Sequence, residues 1–327
     1  MDDFSLKIGD VRGPAEIRLL QPCQAGPEVT RMLPLETIEE AKASIPYDIE
    51  DSRTYLVFYE EFGYIKEEQL LIMKCIFTVK NCLRDIGFVL DWIEVVTWNE
   101  AQLQRVNEPF GDEHMSSKAD RKGALMSMSL GMKYVDAEAT SCASLLAYRE
   151  DLWLNLSCMI TGMLFLRHGY TGVGVVNPSF YHEKQPADKI RIASAFKPFE
   201  ASNRRVIGVL NVTGAHWIAF MINRDTHICY TFDPQQGNVK NMANALRETI
   251  EPLLHMKIPL SYEAVKSCRQ RDGSSCGVLC LTMLELLLSD QPWVNDLYDL
   301  IPYLRLRYLN KSIGLLTQAS DKRGERL

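Results

Sequence analysis

A polar turn, Gln270-Arg271-Asp272-Gly273-Ser274-Ser275, runs through Cys276 straight into one of the longest apolar stretches of the chain, residues 277–288. That stretch stops at Ser289-Asp290-Gln291-Pro292, a polar cluster followed by proline, and so reads as a strongly apolar helix with a sharp end. Upstream lie three runs rich in β-branched and aromatic residues, at 206–212, 217–222 and 228–232, each of which reads as a strand. The last two are joined by the polar turn Asn223-Arg224-Asp225-Thr226. The apolar helix is expected to pack against the sheet these strands form, with Cys276 in its first turn.

The remaining chain reads less sharply. At 327 residues it is long enough for two domains or one elaborated domain. Residues 1–50 carry scattered proline and glycine with little periodicity, and 54–59 reads as a strand. Residues 66–85 carry a helical stripe at Leu70, Ile72, Met73, Ile76, Phe77 and Val79, and 87–96 reads as a further strand. These segments make a small α/β region. Residues 108–132, rich in glycine, serine, methionine and charge, read as a loop or linker. Residues 141–167 and 239–255 have helical patterns, 262–265 is a short strand, and the polar tail from Thr317 is expected to be loose. The division that follows is an N-terminal region at 1–139, a catalytic domain at 140–310 and a tail at 311–327.

Composition removes several functional classes. The formal net charge is −6, without the basic footprint of a nucleic-acid-binding protein. No apolar stretch is long enough to span a bilayer. The nine cysteines are scattered and form no Cys-x-x-Cys pair, so no metal site is expected. The start, Met1-Asp2-Asp3-Phe4, is acidic and unlike a signal peptide. Reduced thiols in an intracellular protein of nucleus or cytoplasm follow as the expectation.

The chemistry-bearing residues occur in the order His216, Asp233, Gln270, Cys276. Cys276 at a helix start lies near the positive end of the helix dipole, which favours a thiolate, and Ser274 or Ser275 is available as the cap. His216 stands at the edge of a strand, placed to take the thiol proton. Asp233 ends the next strand, so a hairpin would bring its carboxylate to His216 and fix the imidazole tautomer. Gln270 is placed to donate its amide to a developing oxyanion beside the Cys276 backbone N–H. Gly277 is expected to let a substrate carbonyl approach the backbone. Cys75, Cys82, Cys142, Cys158, Cys229 and Cys280 read as inert packing residues.

With these residues in view, the region from about 149 to 288 resembles the ubiquitin-like-protein-specific cysteine proteases, the group of SUMO (sentrin) proteases and the adenoviral protease clan. The shared pattern is His216-Trp217, Asp233 at a strand end, Gln270, and Ser275-Cys276-Gly277, with Trp153-Leu154-Asn155 upstream. Leu156 and Ser275 stand where the family carries aspartates. The resemblance implies an α+β, papain-like catalytic domain with a small mixed sheet flanked by helices. It implies cleavage after the C-terminal Gly-Gly of a ubiquitin-like modifier or its conjugates, with no cofactor. Trp153 and Trp217 match the two tryptophans that enclose the glycine pair. An acetyltransferase of the same clan, reusing the Cys–His pair, and a non-catalytic module binding ubiquitin-like tails are the alternatives.

Overall fold

The computed structural model describes residues 18–20, 32–45, 56–59, 63–110, 117–126, 128, 131–136, 138–237 and 239–324. The chain divides into two compact units, residues 1–84 and 85–327. The first holds β1 (Arg18–Leu20), α1 (Leu35–Ala43), β2 (Leu56–Tyr59) and β3 (Gly63–Lys66), with β1-β2-β3 forming an antiparallel sheet. Its core is Leu33, Ile38, Ala41, Val57, Ile65, Leu70 and Met73. The expected strand at 54–59 is β2, with Thr54 and Tyr55 outside the described residues. The acidic start of the chain also lies outside them.

The division falls inside α2 (Glu67–Val95), not at the 139/140 boundary expected from composition. Residues 87–96 are not a strand. They continue α2, burying Ile86, Val89, Trp92 and Ile93 at three- and four-residue intervals. A ten-residue window hid the fact that this spacing prolongs the stripe before it. Nor is 108–132 simply a linker. It includes the end of α3 (Glu100–Phe110) and all of α4 (Lys118–Met126), whose Phe110 and Leu125 are buried in the main core.

The second unit continues with the hairpin β4 (Met132–Val135) and β5 (Glu138–Ser141). The helix expected at 141–167 is interrupted. A 3₁₀ segment, Cys142–Tyr148, precedes an extended stretch, and only then α5 (Leu156–Gly169) begins. Asn155 starts α5 by accepting the Cys158 N–H at 3.0 Å. Next come β6 (Val173–Val175), α6 (Pro186–Ala193), β7 (Arg205–Val212), β8 (His216–Asn223), β9 (Ile228–Phe232), α7 (Lys240–Ala245), β10 (Ser261–Ala264), α8 (Cys276–Leu288) and α9 (Ile301–Gly324).

The five-stranded sheet has the order β10-β9-β8-β7-β6. Its outer pairs are parallel and its inner pairs antiparallel, so the sheet is mixed. Both faces are covered, which is why β7 and β8 read as near-continuous apolar runs. Val206, Leu210, Ile218, Phe220 and Ile222 pack with Met242 and Leu246, while Ile207, Val209, Trp217, Ala219 and Met221 join the core that contains α8. Every α8 residue except Leu287 is buried, making it the central helix. Residues 311–316 are no loose tail either. They belong to α9, with Ser312, Ile313, Leu315 and Leu316 buried. Among the described residues no helix is long and apolar enough to cross a membrane.

Candidate active site

The β7–β8 turn is tight, with Thr213 and Gly214 both at positive φ (59° and 77°). It makes His216 the first residue of β8. Asp233 directly follows β9. Because β8 and β9 run antiparallel, the start of one and the end of the other meet at the same edge of the sheet. There His216 Nε2 hydrogen-bonds Asp233 Oδ1 at 2.7 Å. The Asp233 carboxylate also accepts the Gln235 N–H at 2.8 Å and the Gly237 N–H at 3.0 Å. Those two amides fix the carboxylate, and the carboxylate fixes the imidazole ring.

With Nε2 engaged, the imidazole presents Nδ1, buried and without a full hydrogen bond, to the neighbouring Cys276 at the start of α8. Burial pulls the His216 pKa down, but the hydrogen bond to Asp233 and the proximity of Cys276 outweigh it and hold His216 at about 9. Burial pushes Asp233 up, and the bonds from His216, Gln235 and Gly237 outweigh that in turn, holding the carboxyl below its ordinary value. His216 is therefore a cation at neutral pH, paired on one side with a carboxylate and on the other with the sulfur.

The turn ahead of Cys276 is organised by Asp272, which carries no role in the sequence reading. Its Oδ1 accepts the N–H groups of Ser274 and Ser275 at 2.9 and 2.8 Å, and its Oδ2 accepts the Ser275 hydroxyl at 2.7 Å. The expected cap from Ser274 or Ser275 is absent: Ser275 is the N-cap residue but its side chain bonds to Asp272 instead. An Asp two residues ahead of a free N–H is the signature of an Asx turn, and Asp272-Gly273 carried that signal. Arg305 of α9, 1% exposed, braces the same turn, donating to Ser274 O at 3.3 Å and Leu152 O at 2.8 Å. Nothing local in residues 301–310 announces this contact.

Gln270 is tied to the site through its backbone, donating to Pro234 O at 2.7 Å. Its carboxamide nitrogen donates to Asp272 O at 2.8 Å and Oδ1 at 3.2 Å, while Oε1 is buried without a partner. The amide is thus turned toward Asp272 in this structure rather than free beside Cys276.

Trp153 and Trp217 line one groove of about 440 Å³, together with Leu154, Leu156, Asn211 and Ala215. Trp217 is buried and donates to Leu154 O at 2.7 Å; Trp153 is 55% exposed and donates to Gly273 O at 2.9 Å. Trp153 also lines a second hollow beside Ser274 and Ser275. The tryptophan thus stands between a groove flanked by the neighbours of His216 and a hollow flanked by the neighbours of Cys276. Gly277 has a packing reason to lack a side chain. A Cβ there would lie 2.9 Å from Leu154 Cβ and 3.1 Å from Met159 Sδ, so its bareness lets α8 pack against that segment, and it lines neither hollow.

Among the described residues no cluster of histidine, cysteine, aspartate and glutamate could hold a metal. Asp225 lies at the other end of the sheet, paired with Arg204. Cys280, one turn beyond Cys276, is fully buried and donates to Trp217 O at 3.3 Å; burial raises its thiol far above the ordinary value.

These shifts set a stability window. Asp233 and Asp272 are held low, so their stabilisation is full above about pH 4 and fades as pH falls through their folded values. His216 is held high, so its contribution is full below about pH 6.5 and fades as pH rises through about 9. Thermal melts across pH 2–10 are expected to show both limbs, and Asp233→Asn to remove most of the alkaline one. An unchanged alkaline limb in that variant would contradict the assignment.

Residues 202–311 match the sequence profile of the Ulp1 protease family, C-terminal catalytic domain. No curated protein matches the chain. Among solved structures, the C-terminal Ulp1 protease domain in complex with Smt3, the yeast ortholog of SUMO, is 17% identical, with a TM-score of 0.51 over 62% of this chain and 94% of that one. The SUMO protease Ulp1 with its catalytic cysteine oxidised to a sulfenic acid is 16% identical, with a TM-score of 0.51 over 69% and 98%. At these identities the structural likeness establishes a shared fold.

Proposed function

From the premise that this chain carries a Ulp1-family cysteine protease domain, we propose that it is a thiol isopeptidase or peptidase that cuts after the C-terminal glycine pair of a ubiquitin-like modifier. The observation that carries this reading is the single imidazole shared by Asp233 and Cys276. Cys276 attacks the scissile carbonyl as thiolate, His216 gives its proton to the departing lysine amine, and water then releases the thioester through the same imidazole. Asp233 keeps the imidazole oriented and stabilises its charged form. The Cys276 backbone N–H, at the positive end of α8, and the Gln270 amide face the developing oxyanion, once substrate draws the amide away from Asp272. Trp153 and Trp217 wall the groove that would receive the tail, and residues without a Cβ thread between aromatic walls most readily. The relatives' complex with Smt3 supports a SUMO-like tail as one candidate substrate.

The test is a panel of C-terminal electrophiles built on different ubiquitin-like modifiers. Adduct formation at Cys276 by at least one is expected, located by peptide mass spectrometry. Acetyl-CoA serves as the control donor: transfer of acetyl without cleavage of any modifier would overturn the proposal. Activity is expected to decline above about pH 9 as His216 loses its proton.

A further inference from the structure

Three buried polar atoms without a hydrogen-bond partner lie in this region: His216 Nδ1, Gln270 Oε1 and Asn211 Oδ1. Folded proteins satisfy nearly all such atoms, so each exception needs a reason. The first two have theirs in the proposed chemistry, one facing the sulfur and the other belonging to the oxyanion donor. Asn211 has no part in that chemistry.

Its position narrows what it serves. Asn211 lies on β7 directly opposite Trp217 of β8. By strand alternation it shares the sheet face of Ile207 and Val209, the face toward α8. It lines the same groove as Trp153 and Trp217. Leu154, Leu156 and Pro178 make up much of the apolar wall, and no Asp, Glu, Lys or Arg lines the groove. Leu156 is 41% exposed there. His182 is the one titratable side chain in the lining; a charged side chain entering this space would lose hydration with no Asp, Glu, Lys or Arg to receive it, whereas an apolar one would cover Leu156 and the indoles.

We propose that Asn211 is a substrate-binding residue whose carboxamide oxygen accepts a main-chain N–H of the modifier tail, and that the groove beside it selects an apolar side chain immediately ahead of the glycine pair. This rests on the isopeptidase reading and names the class of tail it acts on. The Asn211 side chain lines the groove, and its oxygen has no hydrogen bond that an incoming tail would have to displace. Main-chain hydrogen bonds then hold the extended tail while the pocket reads one side chain.

The test uses synthetic peptides acetyl-Leu-X-Gly-Gly-aminocoumarin with X as Leu, Thr, Asp or Arg. A further Leu peptide has the N–H of X replaced by an ester oxygen. Wild-type kcat/KM is expected to be at least about tenfold higher for Leu than for Asp or Arg. The ester is expected to cost the wild type about tenfold, mainly in KM, and to cost Asn211→Ala less than about twofold. Leu156→Asp is expected to gain on the Arg peptide. Equal ester losses in wild type and Asn211→Ala, or Asp and Arg peptides cut as fast as Leu, overturn the proposal while leaving the isopeptidase reading in place. Failure of the wild type to cut any Gly-Gly peptide or full-length modifier removes both.

Discussion

Cys276→Ala is expected to lower hydrolysis of a modifier conjugate by at least about four orders of magnitude, with His216→Ala close behind and the double variant hardly worse than either. The near-equality follows from the geometry. In the proposed mechanism sulfur and imidazole act in one proton-coupled step, so removing either leaves the other without a role. What survives is the background from binding and from the oxyanion donors. Asp233→Asn should be milder in binding and severe in turnover, because an amide cannot hold the imidazolium that Asp233 now accepts at 2.7 Å. Single-turnover cleavage assays read these effects, and matched thermal melts separate lost chemistry from lost fold. Cys276→Ala cleaving at even a hundredth of the wild-type rate would mean that another group is the nucleophile.

Glu285→Ala is expected to destabilise the second unit by about 3–5 kcal/mol. Glu285 lies on α8 and is 2% exposed, the one carboxylate of an otherwise apolar helix. Arg307 of α9 grips it with two bonds of 2.8 Å, and the Tyr308 hydroxyl donates at 2.7 Å. Removing the carboxylate strands a buried guanidinium and a buried hydroxyl with their hydration already lost. Replacing the pair together, Glu285→Met with Arg307→Leu, is expected to restore most of the loss, since the cost lies in the uncompensated charge rather than in the absence of the pair. Equilibrium urea denaturation measures both variants. A single-variant loss below about 1 kcal/mol would show that water or another carboxylate reaches Arg307 after all.

Much of the site was readable because its signals are local. His216, Asp233 and Cys276 each stand at the end of an element whose type follows from a short pattern, and the antiparallel order of β8 and β9 brings the first two to one edge. The apolar run of α8 announced a central helix for the same reason. Longer elements are less legible, because their type depends on a period that a short segment does not display. Residues 87–96 looked like a strand because apolar density over ten residues does not separate the two periods. The polar residues from Thr317 onward suggest a loose tail, yet residues 317–324 continue α9, whose Ser312, Ile313, Leu315 and Leu316 are buried.

By itself, the amino-acid order marked the central strands β7, β8 and β9, the apolar helix α8, and the candidate thiol, imidazole and carboxylate. These depend on neighbours within a few residues, where propensity and periodicity act. Only the tertiary structure decided that Asp272 rather than a serine holds the turn ahead of Cys276, that Gln270 is turned toward it, that a Cβ on Gly277 would meet Leu154, and that Asn211 carries an unanswered oxygen beside the groove. Each of those outcomes turns on which side chain reaches a given atom first. That is set by packing between segments far apart in the chain, and no local pattern encodes it.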